Sequence, residues 1–211
     1  MNPSIHQPIN PITFPARPVN GGRLGLITRK PVHLWSPKVN GWRALVHTPT
    51  GTMFNRQGQL LSIAGEFTQA LALLRDCGIE WLDCEAFERR HNLGRGSLVL
   101  LDAVIPALTA SERWHKVILA SNLRWPMLTS QGPAPGENQV YLIQQTDCSD
   151  ASPSSLRFLS SVWDGMQLTN KAWGVDFYEG LVAKRADSPY PIQLRSATAE
   201  CPFWVKHRWA W

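Results

Sequence analysis

The 211 residues predict one domain of α/β (α+β) class, and three features carry that expectation. Short apolar or alternating runs broken by Gly and Pro read as strands, as at Trp42–Thr48, Ile79–Glu88, Ser97–Ile105 and Tyr178–Arg185. Among them lie three stretches with helical spacing or capping residues. A hydrophobic content of 44% is enough to fill a substantial core at this length.

Residues 1–20 hold five prolines and little periodicity, so an extended or disordered arm is expected there, with the domain proper filling residues 21–211. Leu24–Thr28 and Val32–Ser36 read as strands that deliver Lys38 to a turn. Trp42–Thr48 and Thr52–Asn55 form a hairpin about Pro49-Thr50-Gly51. Ala64–Asp76 spaces Phe67, Ala70, Leu71 and Leu74 as a helix does, and Gly78 is its stop. In Ile79–Glu88, strand alternation puts Leu82, Cys84 and Ala86 on one face and Trp81, Asp83, Glu85 and Phe87 on the other. Two carboxylates between aromatics suit a solvated outer face or the wall of a pocket. Ser97–Ile105 is a buried strand closed by Pro106, and Asp102 within it must be hydrogen-bonded or functional.

Thr109-Ala110-Ser111-Glu112 is a capping box that opens a helix through Trp114, Val117 and Ile118. A Pro/Gly loop at 131–138 precedes a strand at Val140–Gln144, and a Ser/Asp/Pro loop at 145–155 caps a helix bearing Leu156, Leu159, Val162 and Trp163. As a strand, Tyr178–Arg185 places Glu179, Leu181 and Ala183 on one face and Gly180, Val182 and Lys184 on the other. Phe203–Arg208 alternates, so Lys206 and Arg208 share a face that suits a triphosphate or a nucleic-acid backbone.

The net charge of +5, with ten tryptophans beside the basic residues, favours a polyanionic partner such as nucleic acid. Four cysteines form no C-x-x-C pair and six histidines are scattered, which argues against a zinc site or a disulfide framework. Reduced thiols and a cytoplasmic protein are the expectation. There is no signal-like N-terminus and no run of membrane-spanning length, so no membrane partner is expected.

The stretch Ser36-Pro37-Lys38-Val39-Asn40-Gly41-Trp42-Arg43 can hold a nucleotide phosphate. A lysine amine attacks phosphorus only when neutral, and nearby positive charge or a metal lowers its pKa. Gly41 allows the backbone to approach a ligand, and Arg43 offers a guanidinium fork. Taken alone, the octet reads more readily as a surface lysine entering a hairpin. Arg56 before Gly58 is a phosphate ligand or an exposed turn residue. Glu179 and Lys184, flanking a glycine strand, could serve a metal and a phosphate.

In chain order these stretches resemble the covalent nucleotidyltransferases, which comprise ATP-dependent DNA ligases, RNA ligases and mRNA capping enzymes. The family's K-x-D-G-x-R motif resembles Lys38 to Arg43, its arginine motif Asn55-Arg56, and its D-G-E strand Asp83-Cys84-Glu85. The next acidic strand resembles Leu98 to Asp102. The E-G-[LIV]-[VM]-x-K motif is matched by Glu179 to Lys184, and the final K-x-K strand by Lys206-His207-Arg208. Ser36-Pro37 before the lysine is more similar to small viral DNA ligases than to RNA ligases.

The resemblance implies two antiparallel β-sheets flanked by helices, in an ATP-grasp-like nucleotidyltransferase (adenylation) domain with ATP in the groove between the sheets. It implies that Lys38 attacks the α-phosphate of ATP and carries AMP. Arg43 and Glu85 would hold the ribose, with Arg43 also near the 5′-phosphate of a nick. Arg56 would bind a phosphate, Lys184 and Lys206 the α-phosphate, and Glu179 a divalent cation, Mg2+ or Mn2+. Ser36 and Pro37 would line the nucleotide site, with Leu98 and Val182 packing the base where an aromatic is usual. Asn40 and Arg208, with Arg43, would contact nucleic acid or phosphate. Asn40 stands for the usual aspartate, Cys84 for glycine and Arg208 for the second lysine of the last motif.

The sequence stops three residues after Arg208, without the OB-fold domain usual in the family. A natural minimal enzyme, a piece cut at a domain boundary, or one part of an assembly with that domain supplied in trans would each account for this. The expected activity is sealing of nicked duplex DNA (or RNA) by a monomer. The alternatives are an RNA ligase, a GTP-using capping-type enzyme, or a non-catalytic nucleic-acid-binding module.

Overall fold

The computed structural model describes residues 17–21, 33–87, 94–122, 124–132, 140–148, 153–192 and 200–208. The expected strand at Leu24–Thr28 and residues 1–16 of the arm lie outside these.

The alternating runs assemble two sheets. One holds β1 (Arg17–Asn20), β2 (His33–Val39), β9 (Thr146–Asp147), β10 (Tyr178–Arg185) and β11 (Glu200–Arg208), in the order β1-β11-β10-β2-β9. The other holds β3 (Trp42–His47), β4 (Thr52–Phe54), β5 (Trp81–Phe87), β6 (Ser97–Ala103), β7 (Met127–Leu128) and β8 (Val140–Ile143), in the order β4-β3-β5-β6-β8-β7. Most pairs are antiparallel as expected, but β1 runs parallel to β11, and β6, β8 and β7 are mutually parallel. The second departure follows from connectivity: α2 (Ala110–Ser121) intervenes after β6, so the chain re-enters the sheet in the same direction.

The capping box of α2 is present. Glu112 N donates to Thr109 Oγ1 at 3.3 Å and Thr109 N to Glu112 Oε2 at 2.8 Å. The helix expected over Ala64–Asp76 is shorter: a 3-10 turn at Ser62–Phe67 precedes α1 (Thr68–Leu74), with no side-chain cap at its start. Gly65 inside the segment disfavours a longer α-helix. The third helix, α3, runs over Pro153–Trp173. None of the helices among the described residues is long and apolar enough to cross a membrane.

The alternation expected in β5 organises the core. Leu82, Cys84 and Ala86 pack outward against Phe67, Leu71, Leu74 and Val117 of the helical layer. The opposite face looks toward the other sheet, with Trp81 in a cluster with Tyr190 and Trp204 at one end and Phe87 in a cluster with Tyr178 and Leu181 at the other. Asp83 and Glu85, between the two aromatics, face the space left between the sheets.

Two bulges break the alternation beside that space. In β6, Asp83 pairs Asp102 while Cys84 pairs Leu100, so Leu101 is the extra residue. In β10, Tyr178 pairs Val39 while Gly180 pairs Lys38, so Glu179 is the extra residue. Gly180 holds φ at 137°, and a Cβ there would sit 1.8 Å from His207 O. Only glycine lets β10 and β11 close at this point.

Asp102 is hydrogen-bonded rather than free. Arg113, fully buried on α2, donates to both of its oxygens at 2.9 and 3.1 Å, and Lys184 Nζ donates at 3.0 Å. The two cations outweigh the cost of burial and hold the carboxyl below the usual range. Asp102→Ala leaves two cations buried without their counter-charge, so urea unfolding should show a loss of about 3–5 kcal/mol. A loss below about 1 kcal/mol would mean that the pairs contribute little.

Candidate active site

A groove of about 470 Å³ lies between the sheets. From β2 it is lined by Ser36, Pro37 and Lys38, with Asn40 and Gly41 of the following turn. Pro37 is tolerated in this strand because β9 pairs only Leu34 and Trp35, leaving the ladder open beyond them. Arg43, Asp83, Glu85 and Leu101 line the opposite wall, and Glu179, Val182, Trp204, Lys206 and Arg208 complete it.

Lys38 Nζ donates to Glu179 Oε1 at 2.7 Å, and Arg208 Nη2 lies 2.6 Å from the other oxygen of the same carboxylate. Strict alternation separates Glu179 from Val182 and Lys184. The bulge in β10 removes that separation and places all three along the groove. The two-face assignment made from the sequence is corrected accordingly.

Gly41 N donates to Glu85 Oε1 at 3.0 Å. A Cβ on Gly41 would meet Ala86 O at 2.8 Å and Glu85 Cγ at 2.9 Å, so the turn after Lys38 needs glycine for space. Arg43 is in register with Glu85 but forks onto Asp83, with Nε to Oδ1 at 2.9 Å and Nη2 to Oδ2 at 2.6 Å. Burial works against the Arg43 charge, yet Asp83 outweighs it and raises the guanidinium above its ordinary value. Tyr190 also donates to Asp83, at 2.9 Å, so this carboxylate accepts three hydrogen bonds. Burial pushes Glu85 up to about 7, against the opposing pull of Lys38 and Arg43.

One expected nucleotide contact, Leu98, lies away from the groove. Leu98 is fully buried among the core residues on the helix side of its sheet, and Leu101, on the opposite face with Val99, lines the groove instead. Lys184 is 4% exposed, bound to Asp102 and to Leu101 O at 2.7 Å, with its amine 4.6 Å above the Trp204 ring. Its amine is thus paired inside the protein while the residue also lines the groove.

Asn40 lies exposed at the rim. Its Nδ2 donates to Asp176 O at 3.0 Å and its backbone N to Phe177 O at 2.9 Å, tying the turn to the start of β10. An aspartate could not donate the first of these. Arg56 and Lys206 both line the groove. Arg56 is pushed down to about 10, first by burial and then by Arg17 and Arg43, while burial and then Arg208 lower the Lys206 amine.

Arg17, Leu101 and Trp204 were missed from the sequence. Trp204 shares the alternating face of Lys206 and Arg208, which could have found it. Arg17 sits in a proline-rich arm with no local signal, and only its distant pairing with β11 brings it in. No group of three or more His, Cys, Asp or Glu able to hold a metal occurs among the described residues. The donor set therefore fits a hard divalent ion only in the mode that uses one carboxylate, here Glu179, with phosphate oxygens and water.

Neither a scan against protein-family models nor a search of curated proteins finds a match. The fold is nevertheless that of the nucleotidyltransferase domains of ATP-dependent DNA ligases. The ligase domain of M. tuberculosis LigD aligns with a TM-score of 0.58 at 17% identity, covering 92% of this chain and 59% of its own. Chlorella virus DNA ligase-adenylate gives 0.56 at 16% identity, with 92% and 68% covered. The ATP-dependent DNA ligase of bacteriophage T7, in complex with ATP, gives 0.52 at 12% identity, with 95% and 70% covered. The chain thus spans about three fifths to two thirds of the length of these structures.

Glu85 gives a pH test of this geometry. Its carboxyl is raised from 4.5 to about 7, so between those values the folded protein holds a proton that the unfolded chain has released. Stability therefore falls as pH rises through this window, by up to about 1.4 kcal/mol per pH unit from this group. Glu85→Gln should lack that slope, so the difference between wild-type and variant stability should change across this window. Parallel curves from pH 4.5 to 7 would contradict the raised value.

Proposed function

We propose that this chain is an ATP-dependent polynucleotide ligase that carries AMP on Lys38 and seals a 5′-phosphate to a 3′-hydroxyl, with nicked DNA as the favoured substrate. The observation that carries the proposal is the place of Lys38: on the groove wall between the sheets, with Glu179 at 2.7 Å, in a fold shared with proteins described as DNA ligases bound to ATP or adenylate.

The chemistry follows from the side chains. Lys38 must lose a proton before it attacks, and Glu179 is the acceptor within reach. The amine lone pair then forms a bond to the α-phosphorus, the α-phosphorus–oxygen bond to pyrophosphate breaks, and the electron pair leaves with pyrophosphate. In the second step an oxygen of the 5′-phosphate attacks the same phosphorus, and the lysine nitrogen departs and regains a proton. In the third, the 3′-hydroxyl attacks the activated 5′-phosphorus and AMP leaves. Ser36, Leu101 and Val182 offer a largely aliphatic seat for the base, and Glu85 an acceptor for ribose hydroxyls. A divalent ion held by Glu179 and phosphate oxygens would neutralise charge developing on the phosphates.

Nick-sealing assays test this proposal, with ATP and magnesium on nicked DNA and nicked RNA in parallel. Sealing should be stronger on DNA, absent in Lys38→Ala, and slowed at least about a hundredfold in Glu179→Gln. Stronger sealing of RNA would make the chain an RNA ligase. Undiminished sealing by Lys38→Ala would remove Lys38 from the chemistry. Salt-sensitive duplex binding, with no sealing even of pre-adenylated nicks, would leave a binding module.

A further inference from the structure

Tyr190 stands one layer behind the groove. Asp83 and Arg43 line it, whereas Tyr190 is 2% exposed and packs in the cluster of Trp81 and Trp204. Its hydroxyl donates to Asp83 Oδ2 at 2.9 Å, the oxygen that also takes Arg43 Nη2 at 2.6 Å. Asp83 is fully buried, and Arg43 meets its other oxygen with Nε at 2.9 Å. That fork does not use Nη1, so the direction of the remaining donors of Arg43 follows from the plane of the carboxylate. Strand β5 fixes the backbone of Asp83 but leaves the rotation of its carboxyl group broad, and a donor from a second direction narrows it.

The segment that carries Tyr190 is itself held from behind. After β10, Ser188 N and Oγ both donate to Arg185 O, at 3.0 and 2.6 Å. From α2, Arg113 Nη1 donates to Ser188 O at 3.1 Å and Ser111 N to Ala186 O at 3.0 Å. The Arg113 guanidinium lies 5.5 Å over the Tyr190 ring, and Trp204 meets that ring edge-on at 5.8 Å. The hydroxyl therefore reaches Asp83 from a fixed support. Burial, and then the charge of Asp83, push it well above its ordinary pKa, so it remains a donor through neutral pH.

We propose that Tyr190 is a positioning residue for the reaction: its hydroxyl holds the Asp83 carboxylate, and through it the plane of the Arg43 guanidinium at the groove. The inference rests on the function proposed above, with Arg43 at the ribose. Tyr190 touches no reacting atom and acts only through the Asp83–Arg43 fork. Displacing a substrate-orienting group by about 1 Å is enough to slow a reaction by up to about a hundredfold, so a hydroxyl one layer back is felt in the rate.

Two measurements on the full chain test this. In 15N NMR spectra the Nε–H of Arg43, assigned by its loss in Arg43→Lys, should exchange slowly with water in the wild type. Tyr190→Phe, which removes only the hydroxyl, should speed that exchange at least about tenfold. An unprotected Arg43 Nε–H in the wild type, or unchanged exchange in the variant, overturns the proposal. Single-turnover loading of AMP at saturating ATP should be about tenfold slower in Tyr190→Phe. In an Arg43→Lys background, where no fork is left to align, the same change should slow loading by less than about twofold. A merely structural tyrosine would slow both backgrounds equally, and that result, or an undiminished rate in Tyr190→Phe, overturns the proposal as well. A wild type that loads no AMP and seals no pre-adenylated nick would sink the ligase reading instead. The exchange measurement would then still decide whether Tyr190 orients Arg43.

Discussion

Glu179 belongs to the central of three strands, and its two carboxylate oxygens take Lys38 from β2 on one side and Arg208 from β11 on the other. This ion triad is possible only because the chain makes one residue too many in β10, a bulge sustained by Gly180 at a φ that side chains avoid. Without it Glu179 would turn toward the apolar side with Leu181. The glycine, the carboxylate and the amine are therefore one device: close backbone approach behind, a charge-assisted anchor in front, and a lysine held in place at the groove. Partial exposure of both side chains keeps the anchor open to exchange, so a phosphate could replace one partner without unfolding anything.

Behind this surface the cations sort themselves by what they are paired with. Arg113 and Lys184 are paired with Asp102, deep between β6 and α2, and Arg43 is forked onto Asp83, which also accepts from Tyr190. Of these pairs Lys184–Asp102 joins β10 of one sheet to β6 of the other, and Trp204 adds its ring beneath Lys184 and beside Tyr190. The cations left over point into the groove. A wall of committed charges and a floor of uncommitted ones make a site that attracts a polyanion without being pulled apart by its own repulsion.

Much of this was legible in the sequence, for physical reasons that can be named. The alternation of β5 identified Asp83 and Glu85 as sharing a face between aromatics, because a strand with two environments must alternate. Capping at Thr109 was readable from four residues, since the reciprocal hydrogen bonds are local. What failed was everything that depends on an extra residue or on a distant partner. One bulge set Asp102 beside Asp83, and another moved Glu179 to the side of Lys184. Neither shifts composition, although Gly180 marked one of them. The pairing of Lys184 was hidden because Asp102, its counter-ion, is more than eighty residues away. Arg17 was invisible for the same reason: its place at the groove comes from a parallel pairing with the last strand.

The most direct measurement is peptide mapping by tandem mass spectrometry after incubation with ATP and a divalent cation. An added AMP on Lys38, and on no other lysine, is the expected result. An adduct on Lys206 or Lys184, or no adduct alongside demonstrable ATP binding, would contradict a nucleophile held at the groove by Glu179.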